Sequence, residues 1–311
     1  MGSGKPPVAL IAGPTASGKS DLAVQLALHF KERGKRGVVI NADSAQVYRD
    51  LEVLSARPSV EDMQGIEHRL FGAWDGSSAC SAADWADAAK QEIAAVQTDG
   101  AIPILCGGTG LYIRTLLRGI APIPAIDAEV RQTVRALDQM AAYAALMQED
   151  PRRAEQLNAG DRQRTTRALE IIRSTKRSML DWQDDLEGGI EDRIDLHPLI
   201  LLPERGWLYE RCDRRFRIML EIGAVEEVEA LLARNLDAAL PVMRAIGVAE
   251  IAGWLSGQWD KDEAIRRGQQ ATRNYAKRQY TWFRRQPPDD WPRTEAQNIF
   301  IETYFESLLH N

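Results

Sequence analysis

The chain has 311 residues, 44% hydrophobic and 27% charged, with a formal net charge of −6. This suits a water-soluble globular protein of two domains, or of one domain carrying an insertion, and gives no whole-molecule attraction to nucleic acid. No apolar run is long enough to span a bilayer, the N-terminus lacks a signal peptide's arrangement, and Cys80, Cys106 and Cys212 are an odd, scattered set. The expected setting is therefore reducing and cytoplasmic, with neither a disulfide framework nor a zinc site.

The first predicted element is a buried parallel strand over Val8–Ala12, followed at once by Gly13-Pro14-Thr15-Ala16-Ser17-Gly18-Lys19-Ser20 and a helix over 20–33. The octet has the G-x-x-x-x-G-K-S form of a phosphate loop and lies at a strand-to-helix junction. Backbone N–H groups there converge on a polyphosphate, Lys19 adds a point charge, and Ser20 Oγ offers a ligand to Mg²⁺. The second strand, Val38–Asn41, runs into Asp43-Ser44-Ala45-Gln46-Val47-Tyr48. In a doubly wound sheet this edge lies within reach of bound phosphates. Position alone leaves Asp43 four roles: binding Mg²⁺ through water, orienting a nucleophile, accepting its proton, or capping a helix.

A helix over 81–97 leads to the third strand, Ile102–Cys106, which ends in Gly107-Gly108-Thr109. A nucleotide hydrolase is expected to carry a metal-holding Asp at such a strand end. The two glycines instead let backbone approach a ligand closely, and Thr109 offers a hydroxyl or a cap. This favours a loop that grips a diphosphate leaving group. A helix follows over 110–117.

Between about 125 and 190 the strand signal gives way to helical spacing: Val130, Val134, Leu137, then Tyr143, Leu146 and Met147, then Ala168 to Ile172. His197–Leu202 returns to the sheet, and helices are predicted over 209–222, 224–233, 247–255 and 262–284, with a loop near Pro241. Pro287-Pro288 and Trp291-Pro292 stop the last. The expected architecture is α/β: a P-loop NTPase-like parallel sheet flanked by helices (1–124), an all-helical insertion (125–190), and a return strand with a helical C-terminal region (191–311). Charge is local as well: 261–285 holds eight basic residues against two acidic, and 161–180 six against two. Both patches suit RNA phosphates, and both equally suit a solvated helical face.

Taken together, these blocks resemble the bacterial tRNA dimethylallyltransferases, also called tRNA isopentenylpyrophosphate transferases. The resemblance rests on the phosphate loop, Asp43 to Tyr48, and Gly107-Gly108-Thr109-Gly110-Leu111-Tyr112. It continues through Asp161-Arg162-Gln163-Arg164 with Arg167-Ala168-Leu169-Glu170, Arg215-Phe216 with Met219-Leu220, and Met243-Arg244-Ala245-Ile246-Gly247. It closes on Ala271-Thr272-Arg273-Asn274-Tyr275-Ala276-Lys277-Arg278-Gln279-Tyr280-Thr281-Trp282. The blocks arrive in family order over roughly residues 8–285, and the later ones are not shared with kinases.

The resemblance implies transfer of the dimethylallyl group of dimethylallyl diphosphate to N6 of adenosine 37, beside the anticodon, with diphosphate released in the presence of Mg²⁺ and no requirement for ATP. Asp43 then resembles the general base; Thr15, Lys19 and Ser20 the diphosphate and Mg²⁺ grip; Arg215 a further diphosphate-binding arginine. Thr109, the fourth member of the implied catalytic set with Asp43, Lys19 and Arg215, also resembles a tRNA contact, as does Arg131. Three stretches resemble tRNA-contacting segments: Asp43, Ser44, Ala45 and Gln46; Gln163, Arg164, Thr165, Thr166 and Arg167; and Arg244, Ala245, Ile246, Gly247, Val248 and Ala249. The implied partner is a tRNA anticodon stem-loop, bound by a monomer away from any membrane.

Two stretches depart from the family. Leu51-Glu52-Val53-Leu54-Ser55-Ala56-Arg57-Pro58 replaces an Asp-Ile-Gly-Thr-Ala-Lys-Pro pattern, losing a small Gly and altering the loop path. Glu67-His68-Arg69-Leu70-Phe71 replaces His-His-Leu-Ile-Asp. Both bear on efficiency rather than on reaction type. The competing readings are a small-molecule or nucleoside kinase using ATP at the same loop, and a non-catalytic RNA-binding protein. Intact Lys19, Ser20, Asp43, Thr109 and Arg215 count against the second.

Overall fold

Val8 through Ala12 have no exposed surface in β1 (Pro7–Ala12), the condition of a strand covered on both faces, which is why apolar residues follow one another without alternation. The computed structural model describes residues 4–295 and 298–310. From β1 the chain runs through α1 (Lys19–Glu32), β2 (Gly37–Asn41), the short α2 (Val60–Met63), β3 (Glu67–Arg69), α3 (Ala82–Thr98), β4 (Ile102–Gly107) and α4 (Gly110–Arg118). It continues through β5 (Gly119–Ile120), α5 (Ala128–Ala136), α6 (Gln139–Glu149), α7 (Pro151–Ala154), α8 (Arg162–Thr175), α9 (Met179–Gln183) and β6 (Glu187–Gly188). Then come β7 (Asp195–Leu201), α10 (Arg205–Glu221), α11 (Ala224–Ala233), a 3-10 turn at Val242–Arg244, α12 (Val248–Leu255), α13 (Lys261–Arg285), β8 (Arg293–Thr294) and α14 (Ile301–His310). No helix among the described residues is long and apolar enough to cross a membrane.

The expected parallel α/β sheet is present, with strands in the order β3-β2-β4-β1-β7-β8 and every pairing parallel. This order sets the C-terminal ends of β2, β4 and β1 side by side, the edge at which open α/β sheets bind ligands. The chain divides into two compact units, 1–116 with 191–311, and 117–190. In the first, Leu22, Leu26 and Phe30 of α1 pack with Ile11, Val39 and Ile104 of the sheet and with Phe305 and Leu308 of α14.

The second unit is the helical insertion. Its core is Val134, Ala142, Leu146, Leu157 and Leu169. Asp161 starts α8 by accepting the Arg164 N–H at 3.1 Å. Buried Glu170 takes Arg135 at 3.0 Å and Arg167 at 3.6 Å. The two-residue antiparallel ladder of β5 and β6 also belongs here, an addition to the helical reading that is too short to leave a periodic signal.

The other differences lie at the margins. The strands β3 and β8 are edge strands of three and two residues, without an apolar run to announce them. Helix α10 starts four residues before the expected Tyr209 because Glu204, an unusual cap, accepts the N–H groups of Gly206 at 2.7 Å and Trp207 at 2.8 Å. Helix α14 lies beyond the prolines that end α13 and was not among the predicted helices.

Candidate active site

The phosphate loop turns through left-handed backbone at Ala16 (φ 64°) and Gly18 (φ 91°), which aims successive N–H groups into one concavity. Gly13 is fixed by close approach: a Cβ there would lie 2.6 Å from the Leu201 carbonyl oxygen on the neighbouring strand. Lys19 Nζ donates to the Pro14 carbonyl at 3.4 Å. Burial lowers the Lys19 pKa from its ordinary 10.5, against the raising effect of the Asp43 charge. The guanidinium of Arg215, from α10, donates to Thr15 Oγ1. Its pKa is lowered as well, by burial, while the Cys212 and Asp43 side chains oppose the shift. Two half-buried cations thus stand at the loop with the Asp43 charge near both, and neither forms an ion pair among the described residues, a favourable setting for a polyanionic ligand.

The loop is pinned by a residue that sequence reading did not assign to the site. Gln279 of α13, buried, accepts the Thr15 N–H at 2.8 Å and donates to the Gly108 carbonyl at 2.8 Å. One amide therefore ties β1's loop to β4's. The same contact revises the account of the glycines after β4. A Cβ on Gly107 would meet the Ala42 carbonyl oxygen at 2.2 Å, and one on Gly108 would meet Gln279 Nε2 at 2.4 Å. These glycines admit neighbouring protein atoms rather than a ligand.

At the end of β2, buried Asn41 holds the chain around Asp43. Its Oδ1 accepts the Asp43 N–H at 2.9 Å, and its Nδ2 donates to the carbonyls of Asp43 and Leu70, both at 3.1 Å. Asp43 Oδ1 accepts the Ala45 N–H at 3.0 Å, closing a local turn; no helix starts there, so the cap role lapses. Thr109 Oγ1 accepts the Ser44 N–H at 2.9 Å and donates to Ser44 Oγ at 3.2 Å. The Tyr275 hydroxyl joins this pair of hydroxyls; burial and then the nearby Asp43 charge push its pKa well above the usual phenol range, so it stays protonated.

Two cavities meet here. A polar cup of about 170 Å³ is lined by Thr15, Gly18, Lys19, Ser20, Asp43 and Arg215, with Asp21 and Asp62 also on its wall. Beside it, a mainly apolar chamber of about 310 Å³ is lined by Leu51, Leu54, Phe216, Met219, Ile246 and Tyr275 among others. Thr15, Asp43, Ser55 and Arg215 line both. Tyr48 and Tyr112 wall the chamber with their hydroxyls committed to Cys80, Tyr48 accepting its N–H at 2.9 Å and Tyr112 donating to its carbonyl at 3.2 Å. Cys106 is buried in β4, where burial pushes its thiol to about 11; it packs as plain core.

The candidate tRNA residues fall in both units. Ser44, Ala45, Arg244, Ala245 and Ile246 line the chamber, and Gln46 lines the cup. Gly247 and Val248 begin α12, with Ala249 behind them. Arg131, Gln163 and Arg164 are exposed on the helical unit, Thr166 and Arg167 are half-buried, and Thr165 has its side chain in that unit's interior. Counting charges overstated the basic patches. Arg173 pairs with Glu149 at 2.7 Å, Arg177 with Asp185 at 2.6 Å, and Arg273 with Asp213 at 2.6 Å, whereas Lys277 and Arg278 are exposed.

Comparison with known proteins turns this geometry into a family assignment. The IPP transferase family model matches residues 46–286. The chain belongs to the IPP transferase family. A tRNA dimethylallyltransferase of Erythrobacter litoralis is 64% identical over 305 residues, covering 98% of this chain and 96% of the relative. That of Zymomonas mobilis is 50% identical, covering 98% and 94%. Among solved structures, a tRNA isopentenylpyrophosphate transferase of Bacillus halodurans superposes with a TM-score of 0.68 at 31% identity, over 97% of this chain and 94% of that one. A eukaryotic dimethylallyltransferase acting on tRNA gives 0.76 at 29%, over 89% and 70%. The IPP transferase match begins after the phosphate loop, so that loop is an observation independent of the family model, whereas Gln46, Asp62 and Arg215 of the cup lie within the match.

Proposed function

We propose that the protein transfers the dimethylallyl group of dimethylallyl diphosphate to N6 of adenosine 37 in tRNA and releases diphosphate. The observation that carries this reading is the junction of a polar cup built on the phosphate loop with an apolar chamber at one shared carboxylate, Asp43. A diphosphate in the cup leaves its prenyl tail one place to go, and the reacting carbon falls beside Asp43.

An exocyclic adenine amine is a weak nucleophile, because its lone pair is delocalised into the ring. Asp43 orients it by accepting one N–H and takes that proton as the C–N bond forms and the allylic C–O bond breaks. The electron pair of the broken bond leaves on the diphosphate, where Lys19, Arg215 and the loop amides meet the growing charge. Partial burial makes Lys19 and Arg215 stronger partners for an anion than they would be in open water. Tyr275, held protonated beside Asp43, keeps Ser44 and Thr109 in register without competing for the proton.

The residues around the cup fit a Mg²⁺ ion carried on a diphosphate. Ser20 would supply a hydroxyl directly and Asp43 a carboxylate through water, both on the cup's wall. When bound, the ion neutralises part of the leaving group's charge. In this reading Arg244–Ala249 and Ser44–Gln46 hold the anticodon loop around the extruded base, and Arg131, Gln163, Arg164, Thr166 and Arg167 serve the RNA from the helical unit, where the buried Thr165 side chain takes no part. Mass spectrometry of nucleosides from unmodified tRNA, incubated with the protein, dimethylallyl diphosphate and Mg²⁺, tests the proposal. One dimethylallyl unit added to adenosine is the expected result; an unchanged nucleoside profile together with ATP turnover on a small acceptor would overturn it.

A further inference from the structure

We infer that Leu54 sets the length of prenyl chain the apolar chamber accepts, admitting a five-carbon allylic diphosphate and excluding a ten-carbon one. The inference rests on the transferase reading above. Leu54 lines the chamber next to Ser55, and Ser55 belongs to both the chamber and the cup. The Leu54 side chain is therefore one residue away from the place where a prenyl tail leaves its diphosphate.

Its loop is braced on both sides. The Glu227 carboxylate of α11 accepts the N–H groups of Glu52, Val53 and Leu54 at 2.6, 2.7 and 2.9 Å. From the other side, Gln46 Nε2 donates to the carbonyls of Ser55 at 3.1 Å and Ala56 at 2.8 Å. The Leu54 side chain is half-buried and packed on one side. It lies against Gly247, where a Cβ would come within 2.5 Å of Leu54 Cδ2, and Gly247 itself is held at φ 101° with its N–H bonded to Glu250 at 2.9 Å. The remaining apolar wall is equally firm, since Leu51, Phe216 and Met219 are buried residues backed by the core.

The chamber's volume of about 310 Å³ is at the lower end of the roughly 300–1,000 Å³ typical of ligand cavities, and in this reaction it must hold both the prenyl tail and the adenine ring. In this reading a second isoprene unit competes for that volume with the base and with Leu54. Glu227 and Gly247 keep Leu54 in place, so the longer donor is rejected.

The test compares dimethylallyl and geranyl diphosphate as donors to unmodified tRNA for the parent, Leu54→Ala and Leu54→Val, with inorganic diphosphate affinity measured alongside. The parent should use the five-carbon donor far better. Discrimination in apolar pockets runs at roughly 10–200-fold per methylene, so Leu54→Ala should raise the geranyl-to-dimethylallyl ratio of kcat/KM by at least tenfold. Leu54→Val should raise it less. Competition by geranyl diphosphate against dimethylallyl diphosphate binding should sharpen in the same order, a readout independent of turnover. Unchanged inorganic diphosphate affinity shows that the cup has survived the substitution; where Leu54→Ala has lost it, Leu54→Val decides. Equal use of both donors by the parent, or an unaltered ratio in a variant that binds diphosphate normally, overturns the inference. Prenylation of tRNA from neither donor by the parent overturns the transferase reading itself.

Discussion

Replacing Gln279 by Leu should expose how much of the phosphate loop's shape is imposed from outside it. The side chain is 6% exposed and makes two bonds of 2.8 Å, accepting from Thr15 N and donating to the Gly108 carbonyl. Leucine fills similar space but pairs with neither group, leaving one half-buried donor and one buried acceptor unsatisfied. Each such group costs about 1–3 kcal/mol, so the substitution should destabilise the protein by about 2–6 kcal/mol. Gln279→Ala leaves room for a water that can serve both groups, and its cost should be smaller, about 1–3 kcal/mol. Urea unfolding followed by far-ultraviolet circular dichroism gives the stabilities, and titration with inorganic diphosphate reports the cup. Diphosphate affinity should fall at least tenfold in Gln279→Leu, because the Thr15 turn and its contact with Arg215 are no longer held. A loss below about 1 kcal/mol with normal diphosphate affinity would refute the bridge as the element that fixes the loop.

Asp43→Ala should reduce transfer by about 10²–10⁴-fold while leaving tRNA affinity nearly intact; normal turnover in the folded variant would end its role as base. Lys19→Ala and Arg215→Ala should each lower diphosphate affinity or the rate, by about 10²–10³-fold for the rate, with little change in binding of labelled tRNA. Affinity for tRNA should fall steeply with salt despite the net charge of −6, because counterion release is local. Replacing exposed Lys277 and Arg278 by Gln should flatten the slope of log affinity against log salt by roughly 0.7–0.9 per lost phosphate contact. Arg273 is left in place in that variant, since its pair with Asp213 joins α13 to α10 and its removal would confound stability with binding.

The strands β1, β2 and β4, and the buried end of β7 at Leu199–Leu201, were readable because a strand covered on both faces is a continuous apolar run. The phosphate loop was readable because its chemistry is local: eight consecutive residues set both the turn and the charge. Asp43 could be placed at the edge of the sheet, but not given a role, until Asn41 and the Ala45 turn displaced the helix-cap alternative. The glycines after β4 were legible as glycines, not in purpose, since what they make room for, Ala42 and Gln279, arrives from elsewhere in the chain. Edge strands of two or three residues, and a helix beyond a double proline, carried too little periodic signal to be seen.

The sequence by itself determined that the chain builds a parallel sheet, that a phosphate-loop motif follows its first strand, and that a carboxylate stands at the end of its second. Those properties depend on neighbours within a few residues, where spacing dictates geometry. Only the tertiary structure decided that Gln279 closes the loop from 264 residues away, that Leu54 stands in the apolar chamber, and that Arg273 braces a helix while Lys277 is exposed and Arg278, also exposed, lines the chamber. A hydrogen bond or an ion pair belongs to two partners, and a side chain's function is fixed by the one it meets, which no local pattern records.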